Sequence, residues 1–160
     1  MIVPPPPPAP PPALVAPAPD FQGIDFLVGG MWVAVGAPVP VCETIERTLD
    51  GHFLTSTQVS ISASSAVIAR GFLGVDASVE GGRLLSVVFT TGGAFFHLRQ
   101  VPPRQPDAWT FEGERLAGGR VDLLRQTLIR DGPDQLRTRS EVLVDGKWVP
   151  SGEITYRRSR

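Results

Sequence analysis

Cysteine, lysine and histidine are nearly missing from this 160-residue chain, which has one Cys, one Lys and two His. Cys42 alone permits no intramolecular disulfide and no thiolate metal cluster. A lone cysteine in a strand-like setting reads as a small buried hydrophobe. His52 and His97 lie far apart with no cluster of ligands around them, so no metal-binding motif is present. There is no Gly-x-Ser-x-Gly elbow, no Cys/His pair at informative spacing and no phosphate-cradling glycine loop. No apolar run approaches the roughly 20 residues that a spanning helix needs. Charge of one sign is missing as well. Beyond residue 20 there are 15 basic and 15 acidic side chains, which removes long-range steering toward nucleic acid or an anionic membrane.

The first 20 residues lack glycine and basic residues but hold 10 of the 17 prolines. Proline fixes φ and removes a backbone donor, so Pro4 to Pro12 suits neither a helix interior nor a central strand. Residues 1–20 are therefore expected to be a disordered Pro/Ala-rich tail of extended, solvated chain, and residues 21–160 one domain. The start lacks the charged and apolar regions of a signal peptide, which favours the cytoplasm. Ala-Pro-rich stretches also follow cleaved export signals, which keeps a periplasmic or secreted location open. Fourteen Arg against a single Lys matches the composition of a high-GC bacterium.

In the junction Phe21–Gly29, Ile24, Phe26, Leu27 and Val28 precede Gly29-Gly30. One helical turn used as a plug and stopped by glycine fits that pattern. Ten strand-like runs follow, beginning at Met31, Val41, Phe53, Ala66, Leu84, Ala94, Ala108, Val121, Gln135 and Lys147. The breaks between them include Gly92-Gly93, Gly118-Gly119 and Asp131-Gly132-Pro133. Asp50-Gly51 and Asp145-Gly146 are two-residue hairpin candidates, because type I′ turns need φ > 0 at both central positions. The spacing predicts an all-β fold, an antiparallel up-and-down barrel of about ten strands that closes to hide its edges. Such a barrel either fills with its own side chains or leaves room for one small ligand. Ile68 and Phe72, and Leu123 and Ile129, place apolar residues on the second face of their strands. This excess predicts a homodimer, or cover by the junction.

Several segments resemble the bacterial calycin-like proteins catalogued as domain of unknown function 1579. They are Phe26-Leu27-Val28-Gly29 with Trp32, Glu46 to Leu54, Gly71 to Asp76, Gly132-Pro133-Asp134, and Asp145 to Arg158. The resemblance spans about residues 21–160; His52 and Val75 depart from the family's usual Arg and Tyr. It implies a lipocalin-like barrel and no particular activity. Gly29-Gly30-Met31-Trp32 is similar to the calycin opening, which implies that Trp32 closes one end of the barrel beneath an arginine of the last strand, Arg157. The related nitrobindins hold haem through a His near the start of that strand. Aligning on Thr155-Tyr156-Arg157 puts Ser151 there, which disfavours haem, and no cofactor is expected.

Polar residues inside apolar runs are the remaining candidates. Arg70 and Arg125 suit the bidentate anchoring of a ligand carboxylate or phosphate, or else lie across the outer wall. His97 shares a face with Phe95 and Arg99, and the opposite face, with Phe96 and Leu98, is the more apolar. Glu43 and Glu46 fall on opposite faces and form no acid/base dyad. Glu112 and Glu114 share one face beside a Gly-rich loop and read as solvated. In the last strand, alternation buries Trp148, Ile154 and Tyr156, whereas the nitrobindin alignment turns Ser151 inward. These readings favour a small-molecule-binding barrel for an apolar or amphipathic ligand, anchored among Arg70, His97 and Arg125. The alternatives are an isomerase- or cyclase-like enzyme acting on a hydrophobic metabolite, and a structural or dimerisation module whose Pro-rich tail docks to a partner.

Overall fold

The computed structural model describes residues 20–159 apart from 22, 38, 62–64, 81 and 103–104. The expected tail, residues 1–20, lies outside the described residues except at Asp20. Ten strands form one closed antiparallel barrel. They are β1 (Met31–Val35), β2 (Val41–Thr48), β3 (Phe53–Ser60), β4 (Val67–Asp76), β5 (Arg83–Thr90), β6 (Phe95–Gln100), β7 (Ala108–Ala117), β8 (Arg120–Gly132), β9 (Gln135–Val144) and β10 (Lys147–Ser159). Each strand pairs with its sequence neighbours, and β1 pairs with both β2 and β10, which leaves no free edge.

The turns follow the glycines. Asp145 and Gly146 both have positive φ and join β9 to β10 as a two-residue turn, as expected. Gly118-Gly119 does the same between β7 and β8, so β7 runs on through Arg115 to Ala117. The Asp50-Gly51 turn differs from the two-residue form. Thr48 pairs with Phe53 across four residues, and Leu49 shares the left-handed conformation with Asp50 and Gly51.

The junction plugs one end of the barrel. Its 3-10 turn, Ile24–Leu27, lies among Phe21, Trp32, Leu54, Leu84, Leu98, Trp109, Phe111 and Leu136, all buried. Because it enters the barrel end, the junction does not cover the outer wall. Trp32 Nε1 donates to the Leu27 carbonyl at 2.9 Å, and the Phe26 ring packs edge-on to Trp32 and stacks on Trp109. The Gly29 amide donates to the Ile45 carbonyl at 3.1 Å, tying the exit of the plug to β2.

The arginine above Trp32 is Arg158, whose guanidinium lies 4.6 Å from the ring centre. It also donates to the Phe26 carbonyl. Arg157 is exposed on the outer face, opposite Val33. This corrects the expectation from the calycin resemblance by one residue. Trp32, Tyr156 and Arg158 all have inward positions, and alternation turns Arg157 out.

A β-bulge resolves the conflict in the last strand. Pro150 pairs with Glu141 and Gly152 with Ser140, leaving Ser151 as the extra residue. One extra residue reverses which face the following side chains take. Trp148 therefore stands outside, under Arg125, while Ile154 and Tyr156 face inward. The expectation that Trp148 is buried with them fails for that reason.

Candidate functional site

The barrel is not filled by its own side chains. A cavity of about 500 Å³ lies above the plug, within the size range of small-molecule pockets. Its origin is visible along single strands. Near the plug the inner face carries Leu54, Leu84, Phe111, Leu128 and Leu136. Two and four residues further from the plug (counted backwards along β4 and β8, which run toward it), the same face carries Ser56, Ser86, Gln126, Thr138 and Ser140, with glycine at Gly71 and Gly113. Large side chains thus close one end, and small or polar ones leave the middle open. The floor is apolar, with Ile24, Leu27, Ile45, Leu98 and Leu128 beneath a belt of hydroxyl and amide groups.

Arg70, His97 and Arg125 stand outside this cavity. Arg70 is exposed on β4, between the inward Ala69 and Gly71. His97 lies on the outer face, because Phe96 and Leu98 point in. Arg125 is bound to neighbours on the wall. Its guanidinium meets Glu112 at 2.6 Å and Glu141 at 3.7 Å, and lies 4.3 Å from the Trp148 ring centre. The sequence places all three correctly inside apolar strand runs. On β4 and β8 both faces are apolar, so composition does not say which face is inner, whereas on β6 the more apolar face, with Phe96 and Leu98, is the inner one. Glu112, read as solvated, is the carboxylate partner of Arg125, whereas Glu114 is exposed.

The ionisable groups that face the cavity are others: Glu43, Tyr156 and Arg115. Arg115 sits toward the end opposite the plug, near the Gly118-Gly119 turn, and is held by Asp122 at 2.5 Å. That contact keeps the Asp122 carboxyl below the usual carboxylate range. Glu43 is on β2, in register with Trp32 of β1 and Gln58 of β3. It is half-buried in the wall and lines the cavity. Burial pushes its carboxyl above the ordinary value of 4.5, against hydrogen bonds from Ser56 and Gln58 that favour the charged form. Tyr156 is shifted upward by its own burial first and by the nearby Glu43 charge second, so its phenol stays protonated.

The signal for Glu43 lay in register rather than residue type. Alternation does split Glu43 from Glu46, and that split is what leaves Glu43 alone inside. The buried Ile45 fixes the inner face of β2, and Glu43 is the next residue on it.

No protein-family model matches this chain. No curated protein matches it either. Among the described residues, no three His, Cys, Asp or Glu side chains gather in a way that would hold a metal ion. Ser151, the residue opposite the haem-ligand position, sits at the bulge and lines the cavity.

The raised carboxyl of Glu43 has a consequence for stability. A folded-state value above the unfolded one means that the native protein binds the extra proton between the two values. The stabilisation is complete below about pH 4.5 and is lost as pH rises through the folded value. The Glu43→Gln variant should lack this loss. Subtracting its pH–stability profile, measured by urea unfolding, from that of the wild type isolates Glu43 from the carboxyls of Asp76, Asp122 and Asp131, whose values are lowered and act in the opposite sense. Parallel profiles would show that Glu43 titrates normally.

Proposed function

We propose that the chain is a binding protein whose barrel holds one small amphipathic molecule. The observation that carries this reading is the division of the cavity into an apolar floor and a polar belt with one half-buried carboxyl. A ligand with an apolar body and one polar end matches both parts. The likeness to calycin-like barrels supports it and rests on the sequence segments quoted above. The anchors expected at Arg70, His97 and Arg125 give way to Glu43, Tyr156 and the hydroxyl belt.

The test uses N-phenyl-1-naphthylamine, a neutral dye that fluoresces in apolar sites. It should bind the full chain at one site per barrel. The Ser86→Phe variant, which adds a ring to the cavity, should weaken binding more than tenfold. Its melting temperature should be unchanged or higher, since filling a cavity commonly adds about 0.5–2 kcal/mol. Equal dye binding by both proteins would place the dye on the outer wall and count against the proposal.

A second reading, an isomerase- or cyclase-like enzyme for a hydrophobic metabolite, is favoured by one observation. Glu43 and Tyr156 share the cavity as a carboxyl able to change protonation and a phenol held protonated. Such a site should catalyse deuterium exchange next to the carbonyl of 4-phenyl-2-butanone in D2O. Exchange no faster than in buffer would remove this reading.

A further inference from the structure

We infer that the cavity selects an organic cation, a primary or secondary amine on an apolar body, with its ammonium group seated on Glu43. This rests on the binding reading above and names the class of ligand.

Charge complementarity is the argument. A carboxylate drawn into a protein interior normally sits beside a cation, because an unpaired desolvated charge is costly. Among the described residues, none of the ion pairs includes Glu43. The groups around it come from three strands. β3 supplies Ser56 and Gln58, which are neutral donors. β1 supplies Trp32 and Ala34, and β10 supplies Tyr156 and Arg158. Arg158 is the one cation of this set, and it turns away to Trp32 and the Phe26 carbonyl. Arg115, the cation on the cavity wall, is neutralised by Asp122.

Two donors from Ser56 and Gln58 leave a carboxylate with room for more, since its oxygens accept about four hydrogen bonds in total. An alkylammonium brings up to three N–H donors and the missing charge, and the Tyr156 oxygen is a further acceptor within reach of the same charge. Across the barrel from this polar point, Leu98, Phe111 and Leu124 of β6, β7 and β8 receive the apolar body. A fatty acid would instead bring a second anion toward Glu43. At a pH where Glu43 still holds a proton, seating a cation should drive that proton off, so amine binding there should release protons to the buffer.

Three probes with one skeleton test the inference: 4-phenylbutylamine, 4-phenylbutanol and 4-phenylbutanoate, titrated calorimetrically into the full chain. At pH 8 the amine should bind about ten- to hundredfold more tightly than the alcohol, the gain expected of a charge-assisted contact. Its affinity should fall as pH is lowered and Glu43 takes up a proton. At the lower pH values, where affinity has begun to fall, titrations in buffers of different ionisation enthalpy should show proton release for the amine alone. Glu43→Gln should erase the amine's advantage and leave alcohol binding in place, and Glu43→Asp should keep part of it. If Glu43→Gln does not fold, the pH dependence and proton release of the wild type decide. Equal amine and alcohol affinities, or tightest binding by the carboxylate, would overturn the inference while leaving the binding reading intact. No binding of any of the three would remove both.

Discussion

Trp32→Ala should lower the stability of the barrel by about 3–5 kcal/mol, the cost of deleting a fully buried large aromatic side chain. That is roughly 10–15 °C in melting temperature for a domain of this size. Trp32 is 1% exposed and touches three different parts of the floor. Its indole N–H holds the Leu27 carbonyl, its edge meets Phe26, and its face lies under Arg158. Alanine there leaves a cavity and frees the plug from β1. The Arg158→Ala variant should lose less, about 0.5–2 kcal/mol for the cation–π contact. Arg157→Ala, at an exposed position, should stay within about 0.5 kcal/mol of the wild type. Urea unfolding of the three variants checks the order. Equal losses for Arg157→Ala and Arg158→Ala would contradict the placement of Arg158 over the ring.

Gly113→Val should cost at least about 3 kcal/mol, the upper part of the usual range for overpacking. A Cβ atom at Gly113 would lie 2.0 Å from the His97 carbonyl oxygen and 3.0 Å from the Leu98 Cα. Both obstacles are backbone atoms of the neighbouring strand, so no side-chain rotation relieves the contact and β6 and β7 must part. Gly71→Ala is the informative contrast. There the new Cβ meets the Ser56 hydroxyl at 2.6 Å, a side-chain atom that can turn, and Val88 at 3.4 Å. Its expected cost is below about 1 kcal/mol. Chemical denaturation of the two variants side by side is the measurement, and a Gly113→Val protein as stable as Gly71→Ala would refute the close approach of these strands.

These two positions also show what reading residues along the chain misses. Gly113 looks like any strand glycine, and the breaks at Gly118-Gly119 draw attention toward a loop that is only two residues long. Its requirement comes from the distance to a strand paired across the barrel, which no local pattern contains. Glu43 is similar. Its position two residues before the buried Ile45 suggests an inner face, yet its lack of an ion pair among the described residues depends on where Arg158 and Arg115 turn. Arg125 shows an ambiguity that register alone resolves. An arginine within an apolar strand reads as a ligand anchor or as an outer-wall residue, and the second holds: Glu112, Glu141 and Trp148 assemble around it on the outer wall through the register of β7, β8, β9 and β10.

Local chemistry was enough for the architecture. Ten alternating apolar runs broken by glycine pairs and Asp-Gly turns can hide their edges in few ways, and a closed antiparallel barrel is one of them. The same chemistry marked the junction as a plug, because one apolar turn ending in Gly29-Gly30 has to bury its face. Tertiary structure alone decided which face of each strand is inner, where the Ser151 bulge reverses it, and which charges are left without a partner. A side-chain period of two makes the faces equivalent until one extra residue or one packed neighbour breaks the tie. The scarcity of cysteine, histidine and lysine excluded sites built from those residues. The barrel then placed one glutamate, a common residue with no motif around it, where its charge matters most.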